Sequence, residues 1–155
     1  VLWLNGRWDS LGDFQKFNEG FYADPQLVAA AAITDSVASI TSDQINRMHR
    51  APGDRNAYAV VSRGRIQMEN FVSAMAFMEE LAELATSVGG VETGIALPVT
   101  GDRYEAIFVQ FAASMQELQD LDEKLFASED YLAMFAKASQ YMESRFDSVF
   151  AQRII

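Results

Sequence analysis

The 155 residues contain no cysteine and a single histidine, His49. The first absence excludes a disulfide framework, a thiolate metal site and a thiol nucleophile. The second leaves no protein-only site built from several imidazoles. Positive charge is also scarce: 12 Lys and Arg against 22 Asp and Glu give a net charge of −10. A surface of that sign cannot neutralise phosphates, so DNA, RNA and an anionic membrane are not expected partners. No apolar run approaches the roughly 18 to 20 residues needed to cross a bilayer; Val28–Ile33 is far shorter. The opening segment, Val1–Trp8, begins without Met and lacks the basic start and long apolar stretch of a signal peptide. A cytoplasmic protein without a cofactor is the expectation. The glycines make no phosphate loop and no nucleophile elbow; Arg63-Gly64-Arg65 has neither context.

Half of the residues are hydrophobic, and the length suits one domain or a little more with a real core. The second part of the chain is the easier to read. Ala57–Val61 is a short strand pattern, which Arg63-Gly64-Arg65 interrupts. From Ile66 to Val88 the apolar residues fall at helical spacing, with Glu79, Glu80 and Glu83 on the other side, and Gly89-Gly90 stops the helix. Val91–Val99 and Tyr104–Phe111 read as strands joined by the turn Thr100-Gly101-Asp102, a hairpin. Ser114-Met-Gln-Glu117 is a capping box that opens a helix to about Phe126. Ser128 caps another through about Met142, and Phe146–Ile155 closes the chain as a strand. The order β-α-β-β-α-β is ferredoxin-like.

The first 49 residues repeat the last part of that unit without a gap. At an offset of 104, Ser10 falls on Ser114, Gln15 on Gln119, Glu19 on Glu123, Ala23 on Ala127, Ala29 on Ala133, Ala32 on Ala136 and Asp43 on Asp147. The physics agrees with the register. Ser10 and Asp13 repeat the Ser114/Glu117 cap, and Asp24-Pro25 repeats the cap at Ser128. Leu11, Phe14, Phe17 and Phe21 land on Met115, Leu118, Leu121 and Leu125. Residues 1–49 therefore read as the C-terminal β-α-β half of a first unit, 50–56 as a linker marked by Pro52-Gly53, and 57–155 as a complete unit. Either further polypeptide supplies the missing half, or another chain completes the sheet.

Both alternating sets in Tyr104–Phe111 are apolar, so each face of the sheet needs cover. The helices cover one. A second sheet is the simplest cover for the other, and two sheets face to face make a barrel that can enclose a ligand.

Trp8-Asp-Ser10-Leu-Gly-Asp-Phe14 and Ser114-Met-Gln-Glu117 each follow a strand and open a helix, and Arg63-Gly64-Arg65 follows the first strand of the complete unit. On these segments the chain resembles the dimeric α/β-barrel superfamily, in particular antibiotic-biosynthesis-monooxygenase-like domains. The resemblance implies an α+β fold of ferredoxin-like units paired into an α/β barrel, one complete and one partial here. It implies a homo-oligomer, a dimer being simplest, with a small apolar or aromatic ligand inside. The haem-degrading branch uses an Asn on the first strand, a Trp where the third strand meets its helix, and a His in that helix. Only Trp8 fits. Tyr58 stands at the Asn position, Phe17 and Asn18 lie near the His position, and the complete unit has Ala112 at the Trp position and Leu121 and Asp122 near the His position.

Trp3, Asn5 and Arg7 alternate on one strand; with Trp8, Tyr58 and Tyr104 they are the candidates for lining a cavity, against the plainer reading that Trp3 and Trp8 pack and Arg7 meets a carboxylate or solvent. His49 stands beside the linker, with no partner that spacing can name, and reads as a surface residue. Glu79/Glu80/Glu83 and Asp120/Asp122/Glu123 read as solvated helix faces rather than metal ligands. Met68, Met75 and Met78 read as core filler. Two functional readings follow: a non-catalytic module for small-molecule binding or oligomerisation, or, as the resemblance implies, a cofactor-independent monooxygenase-like enzyme acting on an aromatic or polyketide-like molecule. A carrier or sensor of a hydrophobic ligand is a third.

Overall fold

A computed structural model describes residues 6–37 and 44–153, with 34–37 as backbone only. The chain forms two compact units, Val1–Asp43 and Gln44–Ile155.

The first unit holds α1 (Leu11–Ala23) and α2 (Pro25–Val37). Ser10 starts α1: its side-chain oxygen accepts from the amide of Asp13 at 3.1 Å. Asp24 ends α1 and starts α2, its carboxylate accepting from the Gln26 amide at 2.8 Å. Pro25 takes the first helical position, where no amide hydrogen is needed.

In the second unit the strands are β1 (Asn46–Arg50), β2 (Tyr58–Ile66), β3 (Thr93–Pro98), β4 (Glu105–Ala112) and β5 (Met142–Gln152). The helices are α3 (Phe71–Gly89), α4 (Met115–Ala127) and α5 (Glu129–Ala136). The strands form one antiparallel sheet in the order β1-β3-β4-β2-β5. Its last four positions are the ferredoxin-like arrangement, and β1 adds a fifth strand at the β3 edge. This is an α+β fold.

Helices α3, α4 and α5 lie on one face. Ala74, Phe77, Met78, Leu81, Ala82 and Ala85 recur at helical spacing and form the buried side of α3. The first five meet Ile66, Ile95, Ala106 and Met142 in the main core. Ala85 joins Ala112 and α4 residues Leu118, Leu121 and Leu125 in a second cluster. Each of those leucines is almost fully buried and contributes about 1.5–3 kcal/mol. No described helix is long and apolar enough to cross a membrane.

The expected hairpin is present as β3 and β4. Several expected boundaries shift. Arg63-Gly64-Arg65 does not interrupt β2, which continues to Ile66. The missing side chain of Gly64 explains why: a Cβ there would stand 2.7 Å from a Phe146 ring carbon, so glycine lets β5 pack across the strand. Ile66 is therefore strand and core, and α3 begins at Phe71 after a single 3-10 turn, Met68–Asn70. The helix opened by Ser128 ends at Ala136, a 3-10 turn follows at Lys137–Gln140, and β5 begins at Met142, earlier than expected. Tyr104 precedes β4 instead of opening it. The expected strand ending at His49 is β1; it pairs with β3 and belongs to the second compact unit.

Candidate ligand face of the sheet

Strand register decides which side chains share the face away from the helices. One row across the sheet is Ala151, Ala59 and Phe111. The next is Val149, Val61, Val109 and Gly94. A third is Asp147, Arg63, Ile107, Ala96 and Met48, followed by Arg65 and Glu105. The face is thus apolar at one end and charged at the other. Ala59, Ala96 and Ile107 are buried within it, Val61, Val109 and Phe111 are half-buried, and Val149 and Met48 are exposed. Among the described residues of Gln44–Ile155, the linker between β1 and β2 crosses this face, and Gln44 donates to Glu105 at 2.7 Å. The linker passes over Gly94, where a Cβ would meet Pro52 at 2.6 Å. Beside it Pro52, Asp54, Asn56, Glu92, Phe111 and Glu117 help to line a depression of about 470 Å³. Its three carboxylates disfavour an anionic ligand there.

Ion pairs define the charged end. Arg63 Nη1 stands 3.5 Å from Glu105 Oε1. Arg65 binds Asp102 at 2.7 Å and also Glu143, and lies 5.8 Å from the centre of the Tyr104 ring. The Tyr104 backbone amide, and then Arg65, hold the Asp102 carboxyl below the usual carboxylate range. Hydrogen bonds from Arg65 to Asp102 and Glu143 raise its own pKa further. These exposed pairs fasten the β3–β4 turn to the ends of β2 and β5.

Beneath the opposite face, a cavity of about 60 Å³ lies among Ser62, Thr93, Gln110, Tyr131, Phe135 and Phe146. Gln110 donates to Thr93 at 2.8 Å, and the Ser62 and Ser148 hydroxyls are 2.8 Å apart. Burial, with Asp122 nearby, pushes the Tyr131 hydroxyl up from its ordinary pKa.

The candidates from sequence disperse. Trp3 and Asn5 lie outside the described residues. Arg7 is exposed. Trp8 packs edge-on against Phe14 at 4.8 Å and tilts over Phe17 at 5.4 Å. Tyr58 points to the helix side, against the cluster of Leu118, Leu121 and Leu125. Tyr104 stacks edge-on against Phe71 at 6.1 Å. His49 does have a partner: its Nε2 is 3.0 Å from Glu79, which also takes Arg50 at 3.2 Å. Glu79 is accordingly half-buried and tied to β1, unlike exposed Glu80. Among the described residues no group of three or more His, Cys, Asp or Glu side chains could hold a metal ion. Sequence reasoning missed Arg63, Glu105 and Asp147, because their common face follows from strand register. The alternation Ala59-Val61-Arg63-Arg65 was the available signal.

The sequence matches no family model and no curated protein. Solved structures do match. A NIPSNAP domain protein from Burkholderia xenovorans is 14% identical, with 61% of this chain and 91% of that one covered at a TM-score of 0.52. A NIPSNAP family protein from Agrobacterium tumefaciens is 17% identical, covering 72% and 93% at 0.54. A Fusobacterium nucleatum protein with a provisional monooxygenase name is 9% identical, covering 90% of this chain and 64% of that one at 0.60. The chain shares with these proteins a ferredoxin-like α+β fold. At these identities the likeness to NIPSNAP and monooxygenase-named proteins establishes architecture alone.

Proposed function

We propose that the second unit is a sheet-pairing module of the superfamily, whose uncovered face lies against another ferredoxin-like sheet and holds a small apolar or aromatic ligand in the space between. The carrying observation is the two-row patch of Ala59, Val61, Val109, Phe111, Val149 and Ala151, which the helices of its own unit do not reach. Leaving such a surface in water forgoes about 25 cal/mol for each Å² of apolar area. The Arg63, Glu105 and Asp147 charges bound the patch at one end and would orient a ligand carrying a polar group. The proposal stops at assembly and binding; the monooxygenase name belongs to the neighbour.

Sedimentation velocity on the 155-residue chain and on Val109→Asp tests it. Wild type is expected to dimerise, because each copy carries one such sheet. Burying an unpaired carboxylate costs several kcal/mol, so Val109→Asp is expected to raise the dissociation constant by about 100-fold or more while the monomer keeps its fold by circular dichroism. The neutral probe N-phenyl-1-naphthylamine is expected to bind wild type and not Val109→Asp. A wild type that stays monomeric at every concentration and binds no probe rejects the proposal.

A further inference from the structure

The two edges of the sheet are built differently. β1 is guarded: it has five residues, a register break between Met48 and Arg50, and exposed Arg47 and His49. Short length, bulges and charge all discourage a further strand from adding to an edge. β5 lacks most of these guards. It has 11 residues, with no proline, glycine or lysine among them. Its register break falls opposite Gly64 to Ile66, near its start, and from Phe146 to Gln152 it pairs regularly with β2. It is the last strand in the sheet order, and its side chains are mostly exposed, Phe150 at 63%.

Hydrogen-bond parity decides what the open edge offers. The Arg153 amide donates to the Ala57 carbonyl at 2.7 Å, one step beyond the Tyr58/Gln152 pair. In an antiparallel ladder every second residue turns its amide and carbonyl to the same neighbour. Ala151, Val149 and Asp147 therefore bond to β2, whereas Phe146, Ser148, Phe150 and Gln152 turn theirs outward. The side chains of those four lie on the helix side of the sheet, with Val60 beside Phe150 and Ser62 beside Ser148. Phe146 is steadied there by Phe108 and Phe135, each with its ring centre 6.2 Å away.

We infer that this edge pairs with itself: β5 of a second copy adds antiparallel to β5 about a two-fold axis at Ser148, joining two sheets into one. The residues of the strand choose both the occupant and the register. An axis at Asp147 sets that carboxylate opposite its own copy, and an axis at Val149 sets Arg145 opposite Arg153. Like charges directly opposite are destabilising. An axis at Ser148 avoids both. It sets Phe146 opposite Phe150 of the second copy, Glu143 opposite Arg153, and Ser148 opposite Ser148. A two-fold contact repeats the first two pairs on either side of the axis. One strand pair is a small interface, so the contact is weak and transient. It uses the edge of the sheet and is independent of the face-to-face pairing proposed above.

Cross-linking tests the inference, and a chain without cysteine gives a clean readout. A short bismaleimide is expected to join Ser148→Cys into dimers about tenfold faster than Glu80→Cys, whose thiol would stand exposed on α3. Ser148 lies on the helix side of the sheet, so face-to-face pairing does not bring two copies of it together. Adding Val109→Asp is therefore expected to preserve the excess over Glu80→Cys. Adding Phe150→Lys sets a cation on the edge and is expected to bring the rate down to that of Glu80→Cys, with the circular dichroism of the wild type. Equal rates for Ser148→Cys and Glu80→Cys overturn the inference. A fast rate that survives Phe150→Lys, or one that Val109→Asp abolishes, overturns it equally.

Discussion

Replacing Gly94 with alanine probes the point where the linker crosses the sheet. In an open strand this change is expected to stabilise by about 0.5–1 kcal/mol, because glycine loses more conformational freedom on folding. Position 94 is not open. A Cβ there would lie 2.6 Å from Pro52 Cβ, 2.8 Å from its backbone nitrogen and 2.9 Å from its Cα. Carbon atoms prefer about 3.5–4.0 Å, so the overlap approaches 1 Å. None of these three atoms can rotate aside, because they belong to a proline ring and to backbone. Overpacking of this kind costs about 1–3 kcal/mol. Set against the gain, the net expectation is a loss of roughly 0.5–2 kcal/mol. In urea, with a slope of about 1–3 kcal/mol/M, this lowers the midpoint by several tenths molar. The damage should centre on β1, whose C-terminal end leads into the linker; β1 amides should exchange faster in the variant while α3 changes with global stability alone. Gly20→Ala is the control, since nothing lies within 4 Å of its Cβ; it is expected to slow exchange in α1. If Gly94→Ala is as stable as wild type, Pro52 does not press on the sheet and the account of the linker fails.

Three further outcomes follow from particular bonds. Ser114→Ala removes the cap of α4 and is expected to cost about 1 kcal/mol, read as a lower urea midpoint for the unit Gln44–Ile155, while Ser10→Ala should speed exchange in the first turn of α1. Asp102→Asn tests the acid limb of stability. The Asp102 pKa is depressed in the folded protein, so its contribution is present above the unfolded value of about 3.9 and is lost as pH falls through the lower folded value. The stability gap between wild type and Asp102→Asn should therefore narrow below pH ~4, and a gap independent of pH would contradict the Tyr104–Asp102–Arg65 arrangement. Glu79→Gln should loosen β1, because Glu79 holds both His49 and Arg50, and faster amide exchange confined to β1 is the expected sign.

Residue spacing by itself determined the helices, their caps and, from β2 onward, the order of elements. Those features depend on contacts within a few residues: a serine oxygen meeting an amide three positions on, or Ala74, Phe77, Met78 and Leu81 returning to one side of α3. The likeness of the Ser10 and Ser114 caps was legible for the same reason, since local cap geometry travels with local sequence. Tertiary structure alone decided where β1 pairs, that Gly64 lies inside a strand, and that Arg63, Glu105 and Asp147 share a face with Val61 and Val109. Each of these depends on register between segments far apart in the chain. A shift of one residue turns every side chain of a strand to the other side of the sheet. Tyr58 shows the consequence: its residue type suited a cavity, and pairing with Ala112 turned it into the core beneath α4.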